Sequence, residues 1–339
     1  MTFHPDSLPD LTGKVYIVTG GNSGIGYHTI ARLAQHGAHV YMCARSPSKG
    51  ATAIASIKSL YPQAHVTLLE MDHLSLASVV SAAKLFLSKE TALHGLVNNA
   101  GIMATPFEMT QDGYEAQWQT NYLAHWVFTS HLLPLLLNTA KTLPPGSVRV
   151  VNLSSFGHHS APKGGINFAD TSLGSGSSGM ARYGQSKLAN ILHVKTLDKL
   201  YGPASAHARG GHGEIWTAAV HPGLVESNIG VHAEIPLLMR LIIAPYRAIG
   251  GMMDGDRGSW TSVFCAASPE MKPEHSGGYF QRIADPHGWQ SAMAKDLGLA
   301  ATLEEWTRAE LEKGGWLSSF NIDTWYSRGL NGLVHLLED

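Results

Sequence analysis

Tyr183 and Lys187 stand four residues apart in ARYGQSKLAN (181 to 190), a stretch with helical apolar spacing, so both side chains fall on one face within reach of a common partner. A phenol beside an ammonium can give a proton to an oxygen or take one from it. Tyr-x-x-x-Lys alone is common by chance, and as a surface pair on an amphipathic helix it would mean nothing. What sharpens it is its company: NNAG (98 to 101), Asn121 in QTNYLAHW, and Ser154-Ser155.

A second constellation is TGGNSGIG (19 to 26), which runs directly out of an apolar stretch and into a helical one. Gly20, Gly24 and Gly26 let the backbone turn tightly and approach a pyrophosphate, whose charge would sit on the free amides opening the helix. Detached from those flanks the same glycines would be an ordinary turn; in place they predict a dinucleotide site. Charge then selects the dinucleotide. An NAD site carries an acid some ~20 residues past the glycines to hold the ribose 2′-hydroxyl. Here no Asp or Glu occurs from Leu11 to Leu69, and Arg45 ends the second apolar stretch. A guanidinium there would pair with a 2′-phosphate, so NADP(H) is the expected cofactor.

These groups need a scaffold that gathers them. Strand character is found at 14 to 20, 39 to 45, 65 to 72, 94 to 100, 147 to 154 and 214 to 223, with a short edge strand at Gly278 to Phe280. Helical spacing covers Gly24 to His36, Ser75 to Ser88, Thr110 to Asn138 and Ala181 to Tyr201, with a kink expected at Pro134. Near-continuous apolar strands alternating with helices predict an α/β fold, a doubly wound Rossmann-type parallel sheet with helices on both faces. The glycine turn, NNAG and Ser154-Ser155 then lie at the carboxyl ends of strands, where such sheets bind ligands.

The chain has 339 residues, 44% of them hydrophobic and 15% charged, enough to bury a large core. No composition break divides it. We expect a lead at 1 to 10, one dinucleotide-binding and catalytic domain at 11 to 285, and a C-terminal helical extension at 286 to 339. Lys plus Arg (24) nearly balances Asp plus Glu (26), which argues against a nucleic-acid partner. Two cysteines and an opening MTFHPDSLPD without a basic or apolar stretch predict a reduced, cytoplasmic protein. No apolar stretch reaches the ~20 residues of a membrane span. His158, His159, His207 and His212 sit in loop-like stretches without a paired set of ligands, so they are expected to be solvated and no metal is expected.

Taken together, the motifs resemble the short-chain dehydrogenase/reductase superfamily over roughly residues 11 to 282. The runs NYLAHW, YGQSKLAN and VHPG are most similar to its retinol-dehydrogenase-like branch, which includes the WW-domain oxidoreductases. The resemblance implies that Tyr183 is proton donor or acceptor and that Lys187 binds the nicotinamide ribose and lowers the tyrosine pKa. It implies that Ser155 holds the substrate oxygen and Asn121 anchors a proton-relay water. Gly20, Ser23, Gly24, Ile25, Gly26, Arg45, Asp72, Asn99, Ala100 and Gly101 would line the cofactor, with Pro222, Gly223 and Ser227 near the nicotinamide. An ammonium ~5 Å from a phenol, at an effective dielectric near ~20, stabilises the phenolate by ~3 kcal/mol, about two pKa units.

Three departures stand out: Ala124 replaces a usual glycine, the hydrophobic N-terminal anchor of many relatives is missing, and 28 positions separate Ser155 from Tyr183, so LGSGSSG (173 to 179) must loop clear of the site. The extended, epimerase-like branch spaces its glycines G-x-x-G-x-x-G and would need glycine at Ser23.

The apolar segment 235 to 253 would serve equally as a substrate lid, a core helix or a homo-oligomer surface. Thr302 and Glu305 read as a capping box opening a C-terminal helix, with Trp289, Trp306, Trp316 and Trp325 packing back on the domain. The expected activity is NADP(H)-dependent hydride transfer to or from a lipophilic small-molecule carbonyl or alcohol. The alternative is an NADP(H)-binding regulator or sensor that catalyses nothing, which would have no use for Tyr183, Lys187, Ser155 and Asn121.

Overall fold

All seven apolar stretches expected to be strands are strands in the computed structural model, which describes residues 3–226, 251–281 and 283–317. They are β1 (Val15–Thr19), β2 (His39–Ala44), β3 (His65–Glu70), β4 (Gly95–Asn98), β5 (Arg149–Leu153), β6 (Trp216–His221) and β7 (Gly278–Gln281). The sheet order is β3-β2-β1-β4-β5-β6-β7, and every neighbouring pair is parallel. Strand order reverses between β1 and β4, which opens a crevice at the carboxyl edge.

Two helical layers explain why β1, β4 and β5 are buried at every position. One face carries α1 (Gly24–Gln35) and α2 (Pro47–Leu60), whose Ile30, Leu33 and Ile57 pack with Val18 and Met42. The other carries α3 (Leu76–Leu87) and α4, a long helix in three parts: Ala116–Trp118, a π turn Gln119–Leu123, and Ala124–Lys141. Beside them lies α5 (Gly179–Tyr201); Phe86, Phe128 and Leu188 join Leu96 in a second core. α6 (Gly255–Ala267) completes the first face, placing Val263 and Phe264 in its core. Neither α2 nor α6 was expected from apolar spacing.

The helix expected from Thr110 begins at Ala116, because the Glu115 carboxylate accepts the Trp118 amide at 2.8 Å and caps it there. Pro134 is exposed, and the helix continues through it to Lys141. α7 (Leu297–Lys313) starts before the expected capping box: Asp296 is its cap, accepting from Leu299 N at 2.9 Å. Thr302 lies inside this helix, its hydroxyl donating to Gly298 O.

Ala300, Leu303 and Leu311 of α7 belong to the second core, and Trp306 and Trp316 pack against it. Glu304 accepts from Trp126 Nε1 at 2.9 Å, and Thr307 bonds the Tyr122 hydroxyl at 2.7 Å, so polar contacts fix the register of α7 on α4. Trp289 departs from the expectation and stays exposed, while Trp325 lies outside the described residues. No helix among the described residues is long and apolar enough to cross a membrane.

Candidate functional site

Because every strand is parallel, the residue following each one arrives at the same edge. Gly20 follows β1, Arg45 follows β2, Asp72 lies just past β3, Asn99, Ala100 and Gly101 follow β4, Ser154 and Ser155 follow β5, and Pro222 and Gly223 follow β6. Ser227 and positions 235 to 250 of the suggested lid lie outside the described residues.

On the β1 side the glycines are sterically required. Gly20 has φ 63°, and a Cβ on Gly26 would lie 2.4 Å from Gly20 O and 2.5 Å from Asn99 Nδ2. Asn99 holds the turn from the other strand: its amide donates to Thr19 Oγ1 at 2.8 Å and its Nδ2 to Thr19 O at 2.8 Å. Ser23 precedes α1 without a side-chain capping bond, and the first turn contains no acid, so the opening amides of α1 are free for an anion. Arg45 is exposed, and among the described residues its guanidinium makes no hydrogen bond or ion pair. Asp72 Oδ1 accepts from Leu74 N at 3.0 Å. A cradle that a Cβ would fill, free helix amides and an unpaired cation together fit a phosphorylated dinucleotide.

Tyr183, Lys187 and Ser155 meet between β5 and α5. The buried Tyr183 ring and the Ser155 hydroxyl flank Gly157, where a Cβ would lie 2.6 Å from Tyr183 Cε1 and 3.3 Å from Ser155 Oγ, and the Lys187 ammonium lies 5.7 Å from the Tyr183 ring centroid. Among the described residues that ammonium donates only to Leu153 O, at 2.9 Å, which leaves two hydrogens for a ligand. Burial pushes the phenol up to about 12, against the lowering effect of Ser155, and pulls the lysine down to about 7. In the free protein burial is the larger influence on the phenol. Taking both groups out of water disfavours phenolate and ammonium alike, and each is driven toward its neutral form.

Asn121 sits in the π turn of α4 and clamps the loop after β4. Its Oδ1 accepts from Ile102 N at 2.8 Å; its Nδ2 donates to Ile102 O and to Ser186 Oγ, each at 2.9 Å. Ser186 in turn donates to Tyr183 O at 2.7 Å. Space closes between these groups at Gly101, where a Cβ would lie 3.1 Å from Asn121 Oδ1 and 3.3 Å from Lys187 Nζ. Ser154, unlike Ser155, points inward and donates to Lys187 O at 2.8 Å.

The insertion before Tyr183 is tied down: Gln185 donates to Thr171 O at 2.9 Å, and Arg182 donates to Ser177 O and Thr105 O. Arg182 also pairs with the buried Glu115 at 3.2 Å.

Two histidines support the site: His125, which no motif singled out, and His158, which was expected in a solvated loop and is instead buried. Thr19 Oγ1 already accepts from Asn99 N and Ala100 N, so its hydrogen goes to His125 Nε2 at 2.8 Å; Nδ1 of His125 then donates to Asn121 O at 3.0 Å. Burial holds His125 well below the usual imidazole range, in keeping with this neutral form. One ring thus links the glycine turn to the π turn. His158 plays a matching part beyond β5, donating from Nδ1 to Ser155 O at 2.7 Å and accepting at Nε2 from Ser291 N at 3.1 Å.

The model of the short chain dehydrogenase family matches residues 14–234. A short-chain dehydrogenase/reductase of Aspergillus calidoustus is 51% identical over 91% of this chain and 97% of its own. Human retinol dehydrogenase 12 is 35% identical over 86% of this chain and 84% of its own. Among solved structures, a protein of Mycobacterium paratuberculosis superposes with a TM-score of 0.68 at 28% identity, covering 91% of this chain and 97% of that one. Pseudomonas aeruginosa RhlG, solved as a complex with NADP, shares the fold at a TM-score of 0.60 and 23% identity, over 84% of this chain and 100% of its own. The chain is a short-chain dehydrogenase/reductase with a Rossmann-type fold, similar to the retinol-dehydrogenase-like branch of that family.

Proposed function

We propose that this protein is an NADP(H)-dependent, cytoplasmic oxidoreductase that interconverts a lipophilic carbonyl compound and the corresponding alcohol. The observation that carries this reading is the buried Tyr183 beside the Ser155 hydroxyl, with the Lys187 side chain next to it donating, among the described residues, only to Leu153 O. Gly20, Ser23, Gly24, Ile25, Gly26, Asp72, Asn99 and Ala100 would hold the cofactor, and Arg45 would select NADP(H) by pairing with its 2′-phosphate. The cofactor supplies the hydride when bound. Ser155 would hold the carbonyl oxygen, and Tyr183, neutral at physiological pH, would donate its proton to that oxygen as the C–H bond forms. In the reverse direction the same phenol oxygen takes the proton back. Lys187 would bind the nicotinamide ribose through its free hydrogens, while Asn121 would keep the loop after β4 in place and, through its carbonyl, hold a proton-relay water. Pro222, Gly223 and Ser227 would border the nicotinamide.

The test is NADPH oxidation by the purified protein across a panel of hydrophobic ketones and aldehydes. Turnover should fall by about a thousandfold in Tyr183→Phe with NADPH affinity retained, whereas Lys187→Ala should damage both. A Tyr183→Phe variant that works at the wild-type rate overturns the mechanism.

A further inference from the structure

Large aromatic side chains seldom remain in water without a reason, yet Trp289 is 66% exposed and Phe156 45% exposed. Their rings meet, with centroids 5.5 Å apart and planes tilted by 47°. Both also touch His159, each at 4.7 Å between centroids. Three rings from two distant segments therefore form one continuous aromatic surface.

Its place relative to the chemistry is fixed twice. Phe156 directly follows Ser155, whose hydroxyl lies beside the Tyr183 ring at Gly157. Trp289 belongs to the segment after β7, and that segment is anchored by His158, which spans from Ser155 O to Ser291 N. The backbone of the serine and the strand of chain bearing Trp289 are thus joined through a single buried imidazole. Phe156 and Trp289 also line a cleft of ≈ 1210 Å³, together with His221, Leu224 and Met253; its charged lining residues, Arg257 and Asp285, come from other positions. That volume far exceeds what a two- or three-carbon carbonyl fills.

We propose that Phe156, His159 and Trp289 form the subsite that receives the flat, apolar body of the substrate, with Trp289 setting which bodies are accepted. The inference deepens the carbonyl/alcohol reading above and takes from it the position of the reacting carbon. Ring faces favour ligands that can lie against them over branched, saturated ones, which gives the subsite a preference by shape as well as by polarity. Trp289 is exposed, so its replacement leaves the core intact.

The experiment titrates acetonaphthone, a flat aromatic ketone, into the NADPH-loaded protein by calorimetry, and measures NADPH oxidation with acetonaphthone and with butanone. Trp289→Ala should weaken acetonaphthone binding, and raise its KM, by at least about tenfold. NADPH affinity should not change, the KM of butanone should rise far less than that of acetonaphthone, and Trp289→Phe should restore most of the binding. Wild-type affinity for acetonaphthone in Trp289→Ala, or no binding by the wild-type protein, overturns the subsite. Binding that depends on Trp289 without any NADPH oxidation supports the subsite and removes the reductase reading instead.

Discussion

On the β3-β2-β1 side of the switch point, the carboxyl edge is built from backbone: a glycine turn, the opening amides of α1, and Asn99 and Thr19 bonded across the strands. On the β5-β6-β7 side it is built from rings, with Phe156 and Trp289 lining a wide cleft and His159 packed against both. The first half suits a ligand of fixed shape. Its recognition elements cannot be exchanged one at a time, because backbone atoms carry them. Side chains that face solvent carry the second half, where a substitution changes what is bound without changing the fold. His125 and Asn121 tie the halves together across the turn.

The sharpest way to break this contrast is Gly26→Ala. Its added methyl meets Gly20 O and Asn99 Nδ2 well inside contact distance, so NADPH affinity should fall by about a hundredfold, ~2.7 kcal/mol. A dissociation constant unchanged in fluorescence titration would show that the turn yields, contrary to a backbone-built half. A smaller effect is expected from Arg45→Ala, the one side chain to which that half delegates selectivity. It should erase an NADPH-over-NADH preference of about tenfold while leaving NADH binding alone. Equal affinities in the wild-type protein would remove Arg45 from the site.

The remaining perturbation is acid. Burial pulls His73 beside the cofactor half, and His158 and His221 beside the substrate half, down from the ordinary 6.5 to about 4. Each native imidazole then refuses a proton that the unfolded chain accepts below pH 6.5. Stability should hold above that pH and decline progressively as pH falls from 6.5 toward 4. A urea midpoint that stays level across this window would mean that these rings are solvated.

Strands were legible because a parallel sheet covered on both faces demands uninterrupted Val, Ile and Leu. α2 and α6 were not legible: Gly50 and Ala53 share the buried face of the first with Ile57, and Gly258, Ser259, Thr261 and Ser262 make up half of what the second buries, which weakens the hydrophobic contrast to read. The capping box at Thr302 misled for a local reason, since Asp296 offers the same chemistry one turn and more earlier. At the site, Tyr183, Lys187, Ser155 and Asn121 were readable because their spacing is local or their position at a strand end is implied by the fold. His125 was not, although it sits within the quoted NYLAHW run; its meaning depends on a hydroxyl 106 residues away. The upward pull of burial on Tyr183 was equally hidden, because spacing reports the neighbouring charge but not the loss of water around both groups.

The seating of α7 on α4 and α5 also sets a schedule for biosynthesis. While a ribosome is still making the segment after β7, the helix carrying Tyr183 and the π turn carrying Asn121 are already outside the exit tunnel with a greasy flank uncovered, and Leu303 and Leu311 arrive among the last residues of the described fold. Domains that close this late expose adhesive surface to the cell for the longest time. Nascent chains of this protein should therefore lean on holding chaperones until α7 is released, and a premature stop just before Leu297 would leave the sheet complete but its second face open to aggregation.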